Sequence, residues 1–332
     1  MKTRFAFAGF RHAHILDLLT GVEEREDTEV VACCEEDPAT RETLAAQGRV
    51  KITHTDFAAM LRETECEVIA IGDYYARRGA LAIAALRAGK HVLADKPLCT
   101  TLAELREIEG LAHQLGRVVF LQLDSRGSGA FIELRDIVRS GEIGDVCTIR
   151  IDGQHPLLPG TRPAWYFEPG KHGGTINDIG VHAFDFVPWL TGMKWQETVA
   201  ARTWNSKAIR TPHFHDCAQL MGRLANGAGV IADLSYLAPD ILGYQLPHYW
   251  RLTIHGTRGM AETHLLAKHV TVITDDDTEQ RQRPALNHHP RRYLDDFLHE
   301  RRGEPHLADL CPADCLRASR LALEAEALAA AS

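Results

Sequence analysis

The sequence lacks long apolar runs, paired cysteines and concentrated positive charge, and each absence excludes a class of protein. No apolar stretch approaches the roughly 18 residues that a membrane-spanning helix requires, and the first residues carry no signal-peptide core. The eight cysteines show no CxxC spacing, so we expect neither disulfides nor a structural zinc site. A net charge of -8 without a basic patch argues against a nucleic-acid partner. We therefore expect a cytoplasmic protein that binds a small molecule and neither a nucleic acid nor a membrane.

Short apolar strands alternate with helices in the first third of the chain. The predicted strands are 4–9, 29–34, 52–53, 68–72, 92–94 and 118–121, and the predicted helices are 13–19, 38–47, 57–62, 80–88 and 102–115. This alternation is typical of a doubly wound parallel sheet with helices on both faces. We therefore predict a Rossmann-like α/β domain over residues 1–122.

The alternation of strands and helices ends after residue 122, where strands follow one another through turns. A helix is predicted over 130–140, strands over 146–153, 198–204, 217–224, 228–236 and 250–255, and an Ala/Leu-rich helix over 315–330. Asn226-Gly227 is a strong hairpin signal between two of these strands. Residues 123–332 are therefore predicted to form a second, α+β domain with a large open, mostly antiparallel sheet.

Lys96 is the best single clue to chemistry. The apolar strand 92–94 must end near Pro97, which lacks a backbone N–H, so Lys96 lies at the carboxyl end of a strand. Ligands of open parallel sheets bind at that edge, where a lysine can polarise a hydroxyl or exchange a proton. The alternative is an ordinary surface lysine.

The turn after the first strand stands where a dinucleotide fingerprint would be, but it keeps only Gly9. Arg11 and His14 occupy the positions of the second and third glycines, so the turn either offers phosphate a cation or no longer holds it closely. Glu35 ends the second strand, where a carboxylate binds ribose hydroxyls and repels a 2′-phosphate, which favours NAD over NADP. Alternatively, Glu35 belongs to a solvated turn before the next helix.

A second cluster of polar residues lies between Gly173 and Asp185. If residues 177–190 are helical, Asp178, His182 and Asp185 are spaced i, i+4 and i+7 and share one face. A carboxylate and an imidazole on one face can orient a substrate hydroxyl and accept its proton. The alternative is a helix cap at Asp178 and a core histidine at 182.

With these segments the chain resembles the Gfo/Idh/MocA oxidoreductases, which include glucose-fructose oxidoreductase and inositol dehydrogenase. The resemblance runs over nearly the whole chain and rests on residues 88–92, 95–97, 140–144 and 173–185. It implies that Lys96 is the active-site lysine, and that Asp178 and His182 bind substrate and transfer its proton. It also implies an NAD cofactor and a second domain whose open sheet forms the substrate floor and often a dimer face, so we expect a homodimer or homotetramer.

The chain departs from the family pattern around the expected cofactor groove. Asp95 replaces the usual Glu, and residues 73–78 read Asp-Tyr-Tyr-Ala-Arg-Arg where the family has Thr-Pro-Asn-x-x-His. These changes indicate either an altered mode of NAD binding, with Arg11 and Arg78 helping to bind phosphate or an acidic substrate, or a lost nucleotide site. The residues predicted to contact the cofactor are Gly9, Phe10, Arg11, His12, Glu35, Asp73, Asp95 and Lys96.

Arg126, Trp165 and Lys171 are predicted to contact the substrate, because an aromatic ring with polar donors suits a sugar or polyol. We predict no metal. The alternative is a mixed histidine and carboxylate site, whose ligands would come from His155, His213, His215, His288, His289, Asp178 and His182.

The chain is thus predicted to be an NAD-dependent oxidoreductase acting on a secondary alcohol of a sugar, polyol or related small metabolite. Two other classes stay open. A metal-dependent lyase or hydrolase would use the histidines, and a ligand sensor would keep the fold without the chemistry.

Overall fold

The computed structural model describes residues 2–247 and 249–331, which divide into two compact units. The first unit contains the described residues up to Gln122 together with 163–173 and 293–316. The second contains 123–162, 174–292 and the residues from Arg317 onward. Each unit is therefore built from three separate stretches of chain.

The first unit contains a five-stranded parallel sheet. Its strands are β1 (Thr3–Ala8), β2 (Thr28–Cys34), β3 (Val68–Ile71), β4 (His91–Ala94) and β5 (Val119–Leu121), in the order β2-β1-β3-β4-β5. The helices are α1 (Ile15–Glu23), α2 (Pro38–Gln47), α3 (Phe57–Glu63), α4 (Tyr75–Arg87) and α5 (Leu102–Leu115). The order of the strands reverses beside β1, and this is the point where doubly wound folds bind ligands. The predicted Rossmann-like sheet is confirmed.

The first unit differs from the prediction at residues 52–53, at the start of α4 and at the ends of α1, which covers Ile15–Glu23 rather than 13–19. No strand forms at 52–53, because the chain there makes only an isolated bridge between Cys34 and His54. Helix α4 begins at Tyr75 rather than at residue 80. Its first turn carries aromatic and arginine side chains that are buried among polar partners. The apolar periodicity used for the prediction therefore begins several residues after the helix itself.

The second unit contains an eight-stranded sheet. Its strands are β6 (Val146–Pro156), β7 (Trp195–Trp204), β8 (Cys217–Leu224), β9 (Gly229–Ala238), β10 (Tyr249–Gly256), β11 (Gly259–His264), β12 (His269–Thr274) and β13 (Arg281–Pro284). The order is β13-β12-β11-β10-β6-β9-β8-β7, and every pair is antiparallel except β6 with β9. The predicted open, mostly antiparallel sheet is confirmed, although β11, β12 and β13 were not predicted.

Four further α-helices lie within the residues that the structure describes. Helices α6 (Gly129–Arg139) and α7 (Val181–Thr191) pack against the sheet of the second unit and against each other. Helix α8 (Arg292–Arg302) returns the chain to the first unit, and α9 (Pro312–Ala331) ends in the second. None of the helices in the described part of the chain combines the length and apolar character needed to cross a bilayer.

Candidate active site

In the first unit, Lys96 lies just past the carboxyl end of β4, as the sequence predicts. Its side chain is only 5% exposed, and the peptide bond between Lys96 and Pro97 is cis. The guanidinium of Arg78 holds the backbone here, because Nη1 donates to the carbonyl oxygens of Asp95 (2.9 Å), Lys96 (2.5 Å) and Pro97 (3.2 Å). Arg78 is completely buried and its guanidinium is occupied by this loop, which argues against the alternative in which it helps to bind phosphate or an acidic substrate.

The turn after β1 retains the close approach that a fingerprint glycine provides. Gly9 has φ +79°, and a Cβ atom there would lie 2.6 Å from Cβ of Asp73 at the end of β3. Only glycine tolerates both the left-handed backbone and this proximity. The first element of the fingerprint is therefore intact.

Glu35 and Arg11 replace the remaining elements of the fingerprint with charged contacts. The buried Glu35 carboxylate accepts hydrogen bonds from the backbone N–H groups of Phe10 (2.6 Å) and Asp37 (2.8 Å). Nε of Arg11 lies 3.4 Å from Glu35 and 3.2 Å from Asp73. Burial raises the pKa of Asp73 to about 6, although Arg11 opposes this shift. Through its hydrogen bonds to two backbone N–H groups and its contact with Arg11, Glu35 stabilises the turn after β1.

These residues fit a dinucleotide, with one change in how its phosphates would be bound. Gly9 keeps the tight turn, and Glu35 stands at the end of β2 where a ribose binds. Arg11 and Arg77, both partly exposed, place guanidinium groups beside Asp73. Cationic side chains would therefore meet the phosphates in place of a second glycine.

His12 forms the centre of a buried network that the sequence did not reveal. Its Nδ1 hydrogen-bonds to Asp95, and its Nε2 lies 3.1 Å from the Tyr166 hydroxyl and 3.3 Å from the Tyr75 hydroxyl. Burial lowers the pKa of His12 to about 3 against the attraction of Asp95, so the imidazole is neutral. Burial opposes ionisation of Asp95, but Arg78 and His12 hold its pKa well below the ordinary value.

The segment 163–173 contacts the fingerprint turn within the first unit. Nε1 of Trp165 donates to the carbonyl oxygen of Arg11 (3.1 Å), and its ring lies 4.8 Å from that of Tyr75. Lys171 pairs with Glu168 and lies 5.1 Å from the ring centre of Tyr74. Two of the three residues predicted to bind substrate thus contact the residues of the expected cofactor groove.

In the second unit, Asp178 and His182 lie where a π-helical turn, Ile176–Gly180, leads into α7. Both are nearly buried, at 3% and 5% exposure. The hydroxyl of Tyr236, on β9, donates to Asp178, and the ring of Trp250, on β10, lies 5.1 Å from that of His182. Trp250 has φ +56° at a register shift in β10, a bulge of the kind found beside active sites.

Glu326, on α9, stabilises the turn that carries Asp178. Its carboxylate accepts from the backbone N–H groups of Ile176 (2.9 Å) and Asn177 (3.3 Å). A Cβ atom at Gly174, which has φ +98°, would lie 2.1 Å from this carboxyl group. Because Gly174 has no side chain, there is room for the carboxylate. The carboxylate accepts hydrogen bonds from backbone N–H groups that have no partner within the first turn of the helix. No local pattern predicts this contact, since about 150 residues separate the partners.

The protonation of Glu326 makes the stability of the protein depend on pH. Burial raises its pKa from 4.5 to about 7, although the two amides oppose the shift. The folded state therefore binds this proton more tightly than the unfolded chain. The free energy of unfolding should fall by at most about 3 kcal/mol as the pH rises from 4.5 to 7, and level off above that. Glu326→Gln should remove this part of the pH dependence, as measured by urea unfolding between pH 4.5 and 8.

Glu324→Gln is the matched control, because Glu324 lies on the same helix with an exposed side chain. The control variant should retain the fall in the free energy of unfolding that Glu326 gives the wild type between pH 4.5 and 7. A Glu326→Gln curve parallel to that of the wild type would show that the carboxyl group titrates normally.

Arg126 and Asp185 are bound to each other rather than open to a substrate. Nε of Arg126 lies 3.1 and 3.2 Å from the two Asp185 oxygens, and Nη2 lies 2.5 Å from one of them. Both side chains are buried. Asp185 was predicted to share one helix face with Asp178 and His182, and Arg126 was predicted to bind substrate. The structure pairs Asp185 with Arg126.

The alternative metal site predicted from scattered histidines is not assembled. Within 2–247 and 249–331, the one group of three histidine, cysteine or acidic side chains close enough to share an ion is His12, His14 and Asp95. The ring of His155 instead lies 5.0 to 6.1 Å from four aromatic rings, those of Tyr236, Tyr244, Tyr249 and Trp250.

Comparison with known proteins agrees with this geometry. Residues 4–123 match a family model described as an oxidoreductase family with an NAD-binding Rossmann fold, and residues 131–262 match the GFO/IDH/MocA C-terminal domain. An inositol 2-dehydrogenase from Acidothermus cellulolyticus is 28% identical over 80% of this chain and 72% of its own length. Two other curated relatives are matched over only 39% and 47% of their lengths.

Solved structures share the fold over the whole chain. A putative oxidoreductase from Erwinia carotovora atroseptica superposes with a TM-score of 0.88 at 25% identity and 99% coverage of both chains. An inositol dehydrogenase homologue from Azotobacter vinelandii, complexed with NADH and myo-inositol, superposes with a TM-score of 0.80 at 16% identity, over 100% of this chain and 96% of its own. The chain belongs to the Gfo/Idh/MocA family of oxidoreductases, whose N-terminal domain is an NAD-binding Rossmann fold.

Proposed function

We propose that this protein is an NAD-dependent dehydrogenase that acts on a secondary alcohol of a polyol, a sugar or a related small metabolite. The observation that carries the proposal is the buried pair of Asp178 and His182 on one turn of helix, with the Tyr236 hydroxyl on the carboxylate. A carboxylate and an imidazole kept from water suit the binding of a hydroxyl group and the transfer of its proton. The inositol dehydrogenases among the relatives support the substrate class.

Each residue has a distinct part in this reaction. The nicotinamide of the cofactor would supply the hydride acceptor or donor. Lys96 donates a hydrogen bond from Nζ to the reacting oxygen and stabilises the negative charge that develops there as the proton leaves. Asp178 accepts a hydrogen bond from a substrate hydroxyl and fixes its orientation, while Tyr236 fixes the carboxylate. His182 accepts the proton in alcohol oxidation and returns it in ketone reduction.

The carboxylates around the end of β2 support a preference for NAD over NADP in this proposal. Glu35 and Asp37 place negative charge where a 2′-phosphate would lie. Arg11 is shared between Glu35 and Asp73, so its single positive charge offsets only part of the negative charge of the carboxylates in this region. We expect NADP to bind at least about tenfold more weakly than NAD, a difference of about 1.4 kcal/mol.

Calorimetric titration of the protein with NAD and with NADP tests the proposal first. Micromolar affinity for NAD with weaker binding of NADP would support NAD as the cofactor. Glu35→Gln should then reduce the difference in affinity between NAD and NADP. A screen of inositols, sugars and sugar acids for NADH formation at 340 nm would follow. Absence of binding by either nucleotide would refute the dehydrogenase assignment, whatever the screen gave.

We also propose that a second copy of the chain covers the exposed face of the eight-stranded sheet. Val199, Met221 and Ile231 lie on the neighbouring strands β7, β8 and β9, and each is about half exposed. Apolar side chains grouped on one open sheet face are typical of an interface. Light scattering should give a dimer or tetramer mass, and Ile231→Glu should lower it, whereas an unchanged mass would place the interface elsewhere.

A further inference from the structure

We propose that His12, His14 and Asp95 form a binding site for a divalent transition metal at the start of α1. One nitrogen from each histidine and one carboxylate oxygen all lie within 4.8 Å of one another. Two imidazoles and a carboxylate are a ligand set that Zn²⁺ and its neighbours in the first transition series accept. All three residues belong to the first unit, so the site needs no other part of the chain.

The carboxylate of Asp95 provides the strongest indication of a ligand. Asp95 is completely buried, and its Oδ1 accepts no hydrogen bond from any residue that the structure describes. A buried carboxylate oxygen in that state is costly without a cation or donor. Nδ1 of His14 lies 3.6 Å from it, beyond a normal hydrogen bond. Two ligands of one tetrahedral Zn²⁺, with bonds of about 2.0–2.1 Å, lie about 3.4 Å apart.

His12 completes the set and already has partners suited to a metal ligand. Its Nδ1 faces Asp95, while Nε2 faces the hydroxyl groups of Tyr166 (3.1 Å) and Tyr75 (3.3 Å). With a metal on Nδ1, the proton moves to Nε2 and is donated to a tyrosine oxygen. Histidine ligands are commonly oriented by such a hydrogen bond from the second ring nitrogen.

The surroundings also provide access for the ion and a limit on its affinity. The side chain of His14 is half exposed, so an ion can reach the site from solvent. Nη2 of Arg78 donates to Asp95 Oδ2 at 2.9 Å, which leaves Oδ1 for the metal but keeps a positive charge close by. We therefore expect reversible binding that a chelator removes.

Equilibrium titration of Zn²⁺ into untagged, chelator-treated protein without nucleotide tests the site, so its outcome does not depend on the dehydrogenase assignment. One ion per chain is expected. His14→Ala should weaken binding at least about tenfold, since loss of an outer-shell partner alone costs that much at many metal sites. His14 makes no capping hydrogen bond, so this variant should fold. His113→Ala, at an exposed position on α5, is the matched control and should bind like the wild type.

Binding of Co²⁺ in place of Zn²⁺ provides a second test, because the absorption spectrum of the bound ion depends on which atoms are its ligands. A spectrum typical of nitrogen and oxygen ligands, lost in His14→Ala but kept in His113→Ala, would support the proposal. A thiolate charge-transfer band would assign the ion to cysteine and overturn it. Absence of stoichiometric Zn²⁺ binding, or equal affinity in His14→Ala and wild type, would also overturn it.

Discussion

Replacing Lys96 with methionine is expected to lower kcat by about 10²–10³-fold and to change the Kd for NAD by less than about threefold. Methionine fills nearly the same buried space but has no donor for the reacting oxygen, so the negative charge that develops there loses its stabilisation. The effect should therefore fall on turnover and not on ground-state binding. Steady-state kinetics with the substrate found by screening, together with calorimetric titration of NAD, measures the two quantities.

Lys51→Met is the appropriate control, since Lys51 is exposed and lies outside the candidate site. It should leave both kcat and Kd unchanged. If Lys96→Met kept the turnover of the wild type, the assignment of Lys96 to the reaction would fail. A large loss of NAD affinity with normal turnover would instead make Lys96 a cofactor ligand only.

Arg126→Met is expected to destabilise the protein by about 3–5 kcal/mol, measured as the free energy of unfolding in urea. The substitution removes every charge-assisted hydrogen bond between the guanidinium and Asp185 and leaves a buried carboxylate without its cation. The carboxylate then loses the cation that offsets the cost of its burial, unless it becomes protonated. The double variant Arg126→Met with Asp185→Leu should recover part of the loss, because no charge is left buried.

The exposed pair of Arg223 and Glu197 provides the comparison. Nη2 of Arg223 lies 2.8 Å from the carboxylate, but both side chains are about half exposed. Arg223→Met should therefore cost no more than about 1 kcal/mol. Equal losses in the free energy of unfolding of the two arginine variants would show that burial does not determine how much the pair of Arg126 and Asp185 stabilises the protein.

The sequence predicted the elements whose apolar pattern is regular and missed those whose pattern is weak. The strands of the first unit consist mostly of buried apolar residues, so their positions could be predicted directly from the sequence. β13, with the sequence Arg-Gln-Arg-Pro, has no apolar residue facing a core and becomes a strand only because β12 pairs with it. β12 is an exception, because its sequence His-Val-Thr-Val-Ile-Thr alternates in the manner of a strand, with Val270 and Val272 buried, and the prediction overlooked it.

The candidate site divides in the same way between local signals and long-range contacts. Lys96, Asp178 and His182 could be found because each lies in a short motif with a strand end or a helix beside it. Arg78, Tyr236 and Glu326 could not, since each acts through a partner that is distant in sequence. Side chains that support a site from another element leave no periodic pattern, so a structure is required to find them.

The path of the chain through the two units also bears on how the protein is made. Residues 293–316 complete the first unit and the described residues from 317 onward complete the second, so neither unit is complete before those stretches have been made. On the ribosome, the nascent chain therefore emerges with two partly built cores and no finished domain. Until those stretches have emerged, the growing chain exposes apolar surface of the kind that chaperones bind.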